Sequence, residues 1–237
     1  MSTPMLLAAD GLVRRFGSVI AVDGVDLRVA AGERHALIGP NGAGKTTVLN
    51  LLGGADRPSV GWIWFDGRDI TRLGPARRAR LGVGRTHQRP AVWPTLTVRE
   101  NVALGAWWQT RGRRRAAVRD WLDRLDLTSL AATTAGTLSH GQCRRLELAM
   151  ALAGQPRLLL LDEPTAGLHG DEVRRLGALL SELPRTVAVV MVEHHLDLVY
   201  SFADTITVLR DGRVAAYGAP ADIRLWHAAG LDVEAVR

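Results

Sequence analysis

Gly39-Pro40-Asn41-Gly42-Ala43-Gly44-Lys45-Thr46 is the stretch that decides the reading of this chain. It fits G-x-x-x-x-G-K-[ST], the pattern of a loop whose backbone N–H groups wrap phosphate. Lys45 is the only lysine among the 30 lysine and arginine residues. A guanidinium is a broad planar fork, whereas an ammonium is a compact charge on a thin stem. A tight loop around a triphosphate has room for the second and not the first. The flanks have the form that the motif needs. Residues 34–38 are a short apolar run that reads as a buried strand, and residues 45–52 read as a helix closed by Gly53 and Gly54. Strand, glycine loop and helix together aim the N–H groups of Gly42, Gly44 and Lys45 at phosphate. The Thr46 hydroxyl is then placed for a magnesium ion.

The bulk composition agrees with an enzyme domain that works inside a cell. A chain of 237 residues buries a substantial core, as one large domain or two subdomains. A single cysteine excludes an internal disulfide framework and fits a reducing compartment. The first ten residues have no basic region ahead of their short apolar run, so no signal peptide is expected. No apolar stretch approaches ~20 residues, so no membrane span is expected either. A net charge of +6 and a pI near 10.7 raise the question of nucleic acid. The arginines are spread along the chain, though, with clusters only at Arg111 to Arg115 and at Arg77, Arg78 and Arg80. Neither is interleaved with aromatics in a nucleic-acid-binding module. They read as solvated helix faces and loop ends, with attraction to an anionic membrane leaflet as the second reading. No nucleic-acid partner is expected.

Residues 158–161 are four leucines followed by Asp162 and Glu163. This reads as a buried parallel strand with carboxylates at its C-terminal edge, where ligands sit in open α/β sheets. Asp162 is placed to hold magnesium and Glu163 to orient or deprotonate an attacking water.

Leu138-Ser139-His140-Gly141-Gln142, followed by a helical run, resembles the LSGGQ signature of ATP-binding-cassette (ABC) ATPases. Other phosphate-loop families lack it. The resemblance implies that ATP and Mg²⁺ are bound by Gly39, Pro40, Asn41, Gly42, Ala43, Gly44, Lys45, Thr46 and Thr47. It implies that Ser139, Gly141 and Gln142 contact the nucleotide held by an opposite subunit. Gln88 matches the family's Q-loop, a sensor of metal and water that touches the membrane partner, so Thr46, Gln88 and Asp162 form the implied metal set. In Val192-Glu193-His194-His195, after a strand over 186–192, either imidazole could be the family's switch histidine; register with the strand end favours His194. Phe16 matches the aromatic that stacks on adenine.

The motifs span nearly the whole chain, so the resemblance implies one nucleotide-binding domain over 1–237. Its fold class is α/β: a RecA-like phosphate-loop core with an antiparallel β subdomain and an inserted α-helical subdomain. Residues 1–94 and 155–237 would form the core and β layer, with strands near 6–12, 21–29 and 61–65. Residues 95–154 would form the helical part, with helices over 98–108, 116–125 and 142–153. One cassette implies a homodimer, or a heterodimer with a related subunit.

A narrower resemblance lies in residues 65–71, 78–88, 94–101, 192–199, 203–209 and 212–214, which are similar to the ATPases of branched-chain (hydrophobic) amino-acid importers. It implies two integral-membrane permeases, indirectly a solute-binding protein, and a place on the cytoplasmic face of the membrane. Urea or amide importers, lipopolysaccharide-export systems and soluble ABC ATPases are the alternatives. His87 stands where those ATPases have phenylalanine, His140 stands where the signature has glycine, and residues 166–169 lack the aspartate common in the wider family. Cys143 reads either as a small packed side chain or as a thiol activated by a helix N-terminus. The region of Gln88 to Pro94 with the helical part is expected to form a groove for a permease helix, with Trp93, Trp107 and Trp108 in or near it.

Overall fold

The computed structural model describes residues 4–228. Two sheets organise it. The larger has six strands in the order β10-β9-β3-β8-β7-β6. These are β3 (Arg34–Ile38), β6 (Val83–Arg85), β7 (Leu158–Asp162), β8 (Ala188–Val192), β9 (Thr205–Arg210) and β10 (Arg213–Gly218). All adjacent pairs are parallel except β10 on β9. Every residue of β3, β7 and β8 is buried, which continuous apolar strands require when both sheet faces are covered. Side-chain alternation divides the core. Leu158, Leu160, Val190 and Val192 pack on α1 (Lys45–Gly53) and the smaller sheet, while Leu159, Leu161, Val189 and Met191 pack on the helices of the other face.

The smaller sheet is antiparallel, in the order β2-β1-β4-β5, from β1 (Met5–Phe16), β2 (Val19–Ala30), β4 (Val60–Phe65) and β5 (Arg68–Asp69). The remaining helices outside the inserted group are α2 (Pro75–Leu81), α6 (Asp171–Ser181), α7 (Leu196–Phe202) and α8 (Pro220–Ala228). Between β6 and β7 come α3 (Val98–Gly105), α4 (Arg111–Arg124) and α5 (His140–Ala153), which pack on one another through Val102, Val118, Leu122, Leu146 and Ala149. Two of these helices begin with a capping box: Thr97 with Glu100 for α3, and Ser139 with Gln142 for α5.

Three expectations need correction. The first helix of this group ends at Gly105 and not at 108. Gly105 sits so close to α5 that a Cβ on it would lie 2.0 Å from the Met150 carbonyl oxygen. Just beyond, the Arg114 guanidinium takes the carbonyls of Ala106, Trp107 and Gln109, replacing helical hydrogen bonds that would have continued α3. Trp107 and Trp108 therefore sit in a turn, 66% and 48% exposed. The second helix begins at Arg111 and not at 116, carrying the exposed Arg111, Arg113 and Arg115 as its first turns. Finally, Arg78 is no solvated helix residue. It is fully buried and donates to the carbonyls of Leu51, Leu52, Ile70, Thr71 and Leu73. A guanidinium thus closes the C-terminal end of α1, where the helix dipole favours a cation. Burial pushes its pKa down to about 10.

Candidate active site

Four loops leave the C-terminal ends of the adjacent parallel strands β3, β8, β7 and β6, and so meet along one edge of the sheet. The first is the phosphate loop. Gly39, Gly42 and Gly44 have φ of 148°, 81° and 98°. A Cβ on Gly39 would lie 2.1 Å from the Leu209 carbonyl oxygen, and one on Gly44 would lie 2.3 Å from that of Ala21. Only glycine permits both the dihedrals and the approach. The Lys45 ammonium is folded into the loop, donating to the carbonyls of Gly39 at 2.7 Å and Pro40 at 2.8 Å. Burial pushes its pKa below the ordinary lysine value, against the pull of Glu163 and Asp162.

Asp162 ends β7, almost wholly buried, and accepts from the Thr46 hydroxyl at 3.3 Å. Burial pushes its carboxyl above the usual range, and Arg85 at 3.7 Å offsets part of that. Glu163 follows in the left-handed region, at φ 47°. Its carboxylate lies between two side chains, with Gln88 Nε2 at 3.2 Å from Oε2 and His194 Nε2 at 3.2 Å from Oε1. Of the two adjacent imidazoles, His194 reaches Glu163, whereas His195 forms the N-cap of α7.

Several residues that organise this edge escaped the sequence reading. Buried Glu193 accepts from the backbone N–H groups of His194 and His195 with one oxygen, and from the N–H and hydroxyl of Thr165 with the other. It thereby joins the turn after β8 to the turn after Glu163. On α5, Arg144 donates to the carbonyls of His87 at 2.6 Å and Gln88 at 2.7 Å. Glu147 accepts from the backbone N–H groups of His87 and Ala91 and contacts the His87 ring at 3.1 Å. The segment around Gln88 is thus held by the helix that begins at the signature. Arg144 and Glu147, one helical turn apart, are both buried.

Lys45, Thr46, Gln88, Asp162, Glu163 and His194 therefore come together. Phe16 lies where β1 turns into β2, half exposed, with the Arg14 guanidinium 4.3 Å over its ring. The close approach of Gly44 to Ala21 shows that β2 runs against the phosphate loop. Ser139, Gly141 and Gln142 do not join the cluster. Ser139 and Gln142 are occupied in capping α5, and among the described residues no hydrogen bond connects these three to the phosphate loop.

The ABC transporter family model matches residues 22–166, which include the phosphate loop, the Q-loop segment, the signature and both acids. The chain belongs to the ABC transporter ATPase family. As an ABC ATPase it resembles the high-affinity branched-chain amino acid transport ATP-binding protein BraF of Pseudomonas aeruginosa, 40% identical over 94% of this chain and 95% of that protein. It resembles LivG of Salmonella typhimurium, a protein of the same description, at 38% over the same shares. Among solved structures, the ADP conformation of an ATP-binding cassette of an ABC transporter matches with a TM-score of 0.86 and 29% identity, covering 98% of each chain. A dimeric post-hydrolysis cassette bound to ADP and Pi matches at 0.82 and 27%, over 91% of this chain and 99% of that one.

The donor set of this ABC ATPase fits Mg²⁺. Thr46 and Asp162 offer a hydroxyl and a carboxylate, hard oxygen ligands whose atoms already lie 3.3 Å apart. Such a pair suits an ion that shares its remaining positions with phosphates and water.

Proposed function

We propose that this ATPase drives uptake of branched-chain or other hydrophobic amino acids through separate membrane permeases, in line with the branched-chain amino acid transport role that BraF and LivG are named for. The observation that carries the reading is the alignment with BraF and LivG over 94% of this chain and 95% of each relative. Two copies form the working unit in this reading, so that Ser139, Gly141 and Gln142 of one cassette face the nucleotide of the other. That accounts for a signature standing apart from its own phosphate loop. The division at 95–154 corresponds to a helical part that moves with the permease, and the subunit works on the cytoplasmic face of the membrane.

Within the site, residues 39–47 hold the triphosphate and Phe16 stacks on adenine. Thr46, Asp162 and Gln88 would hold Mg²⁺, which neutralises phosphate charge when bound. Glu163 accepts a proton from the attacking water. Gln88 and His194 fix the Glu163 carboxylate from its two sides, and His194 faces the γ-phosphate. A groove of about 370 Å³, lined by Ala79, His87, Trp93, Leu104, Trp108 and Met150 among others, runs between the core and the helical segment. Its floor includes the segment that Arg144 and Glu147 tie to α5. An apolar groove joined this directly to Gln88 is the seat for a short permease helix.

Reconstitution with its permeases tests the reading. A leucine-loaded solute-binding protein is expected to raise ATP hydrolysis several-fold in proteoliposomes, and Trp108→Ala to lose that stimulation while the isolated subunit keeps its ATP affinity. Stimulation by urea or an amide and not by leucine would overturn the amino-acid assignment. Loss of ATP affinity or stability in the isolated variant would overturn the groove assignment.

A further inference from the structure

We propose that His140 is a positioning residue, whose imidazole ties the first turn of α5 to the loop that sets the backbone of Glu163. The proposal rests on the reading of Glu163 as the carboxylate that works on water. His140 Nε2 lies 3.1 Å from the Ala166 carbonyl oxygen. A carbonyl only accepts, so Nε2 is the protonated donor. One peptide further, the Ala166 N–H donates to the Glu163 carbonyl at 3.0 Å. Two consecutive hydrogen bonds therefore connect the signature turn to a glutamate held at φ 47°, a conformation that non-glycine residues keep only when their surroundings impose it.

The fit around the imidazole is close. Gly167 has φ 76°, and a Cβ on it would lie 2.9 Å from His140 Cδ2 and Nε2. The ring thus lies against the bare Gly167 backbone. The next residue of α5 is seated on this loop and the start of α6, since a Cβ on Gly141 would lie 3.4 Å from Leu168 Cδ2 and 2.9 Å from Glu172 Oε1. The same loop is also held by Glu193 through Thr165. Glu193 belongs to the sheet edge, whereas His140 belongs to the helical segment. The loop after Glu163 is clamped between the two, and a shift of α5 relative to the sheet reaches Glu163 through Ala166. The residue responsible stands where the signature pattern has glycine, which has no side chain to reach that carbonyl.

Hydrogen exchange and steady-state kinetics on the full-length subunit test this with His140→Gly, His140→Gln and His140→Phe. His140 is exposed, so these variants are expected to fold with little change in thermal midpoint. Without nucleotide, His140→Gly should speed amide exchange at 166–168. With ATP, it should lower kcat about three- to tenfold, the change that loss of one hydrogen bond gives, while KM moves less than about twofold. His140→Gln, which keeps a donor, should recover most of both effects; His140→Phe, which fills the space without a donor, should recover neither. Unchanged exchange in His140→Gly overturns the proposal, as does full recovery by His140→Phe. Gly167→Ala displaces the imidazole without altering it. It should lower kcat more in the native background than in His140→Gly, and equal losses would also count against the tether. The exchange arm needs no catalysis, so it reads the tether even if Glu163 proves not to be the catalytic carboxylate.

Discussion

The Nε2 atom of His194 stands 3.2 Å from Oε1 of Glu163, across a sheet edge that brings together residues 31 positions apart. In the proposed function this carboxylate takes a proton from the attacking water, and it would contribute chiefly when that proton moves. Glu163→Gln keeps the size and loses the base. The variant is expected to bind ATP within about threefold of the native subunit and to hydrolyse it at least ~100-fold more slowly. Equilibrium nucleotide binding and phosphate release, measured side by side, check this. Near-native turnover would remove Glu163 from the mechanism.

Lys45→Arg keeps the charge and changes the shape. The native ammonium fits between carbonyls at 2.7 and 2.8 Å in a loop whose Gly39 is already pressed against Leu209. A guanidinium has no such space. Turnover is expected to fall ~100-fold or more, the usual loss when one charge-stabilising donor is removed from an active site. The sole lysine also offers a direct probe. An amine-reactive ATP analogue should label Lys45, and ATP should protect it; labelling that ATP leaves untouched would speak against the nucleotide site.

What was legible in the sequence was set by local chemistry. Gly39, Gly42 and Gly44 announce a phosphate loop because their spacing follows from backbone conformation, and Asp162 and Glu163 announce a strand end because two acids terminate an apolar run. The rest depends on contacts between distant segments. Arg78 sits among other arginines and looks solvated until the carbonyls of Leu51 and Leu52 turn it inward. Trp107 and Trp108 continue a helical pattern that Arg114 interrupts from outside. The grip of Arg144 on His87 and Gln88 joins positions more than fifty residues apart, and periodicity records nothing of it.

That grip yields a prediction of its own. Arg144→Met leaves the carbonyls of His87 and Gln88 without their partner and removes a guanidinium 3.8 Å from buried Glu147. The loss in unfolding free energy is expected at about 1–3 kcal/mol, read from urea denaturation. Because Gln88 hydrogen-bonds Glu163, kcat should fall further than ATP affinity. A drop in affinity with kcat preserved would show that the segment serves nucleotide binding instead.

At Cys143 two effects oppose each other. The thiol lies one turn into α5, where the helix N-terminus favours the thiolate. Its Sγ nevertheless sits partly buried, 3.9 Å from the Leu138 carbonyl oxygen, and burial pushes its pKa up. A raised pKa lowers the thiolate fraction at any pH below it, and the thiolate is the reactive form. Alkylation by iodoacetamide at pH ~8 is therefore expected to run at least about threefold slower than that of a small free thiol. The rate should keep climbing through pH ~9, where an ordinary cysteine begins to level off. Labelling faster than the free thiol, or a plateau reached below pH ~8, would show that the helix N-terminus outweighs burial at this position.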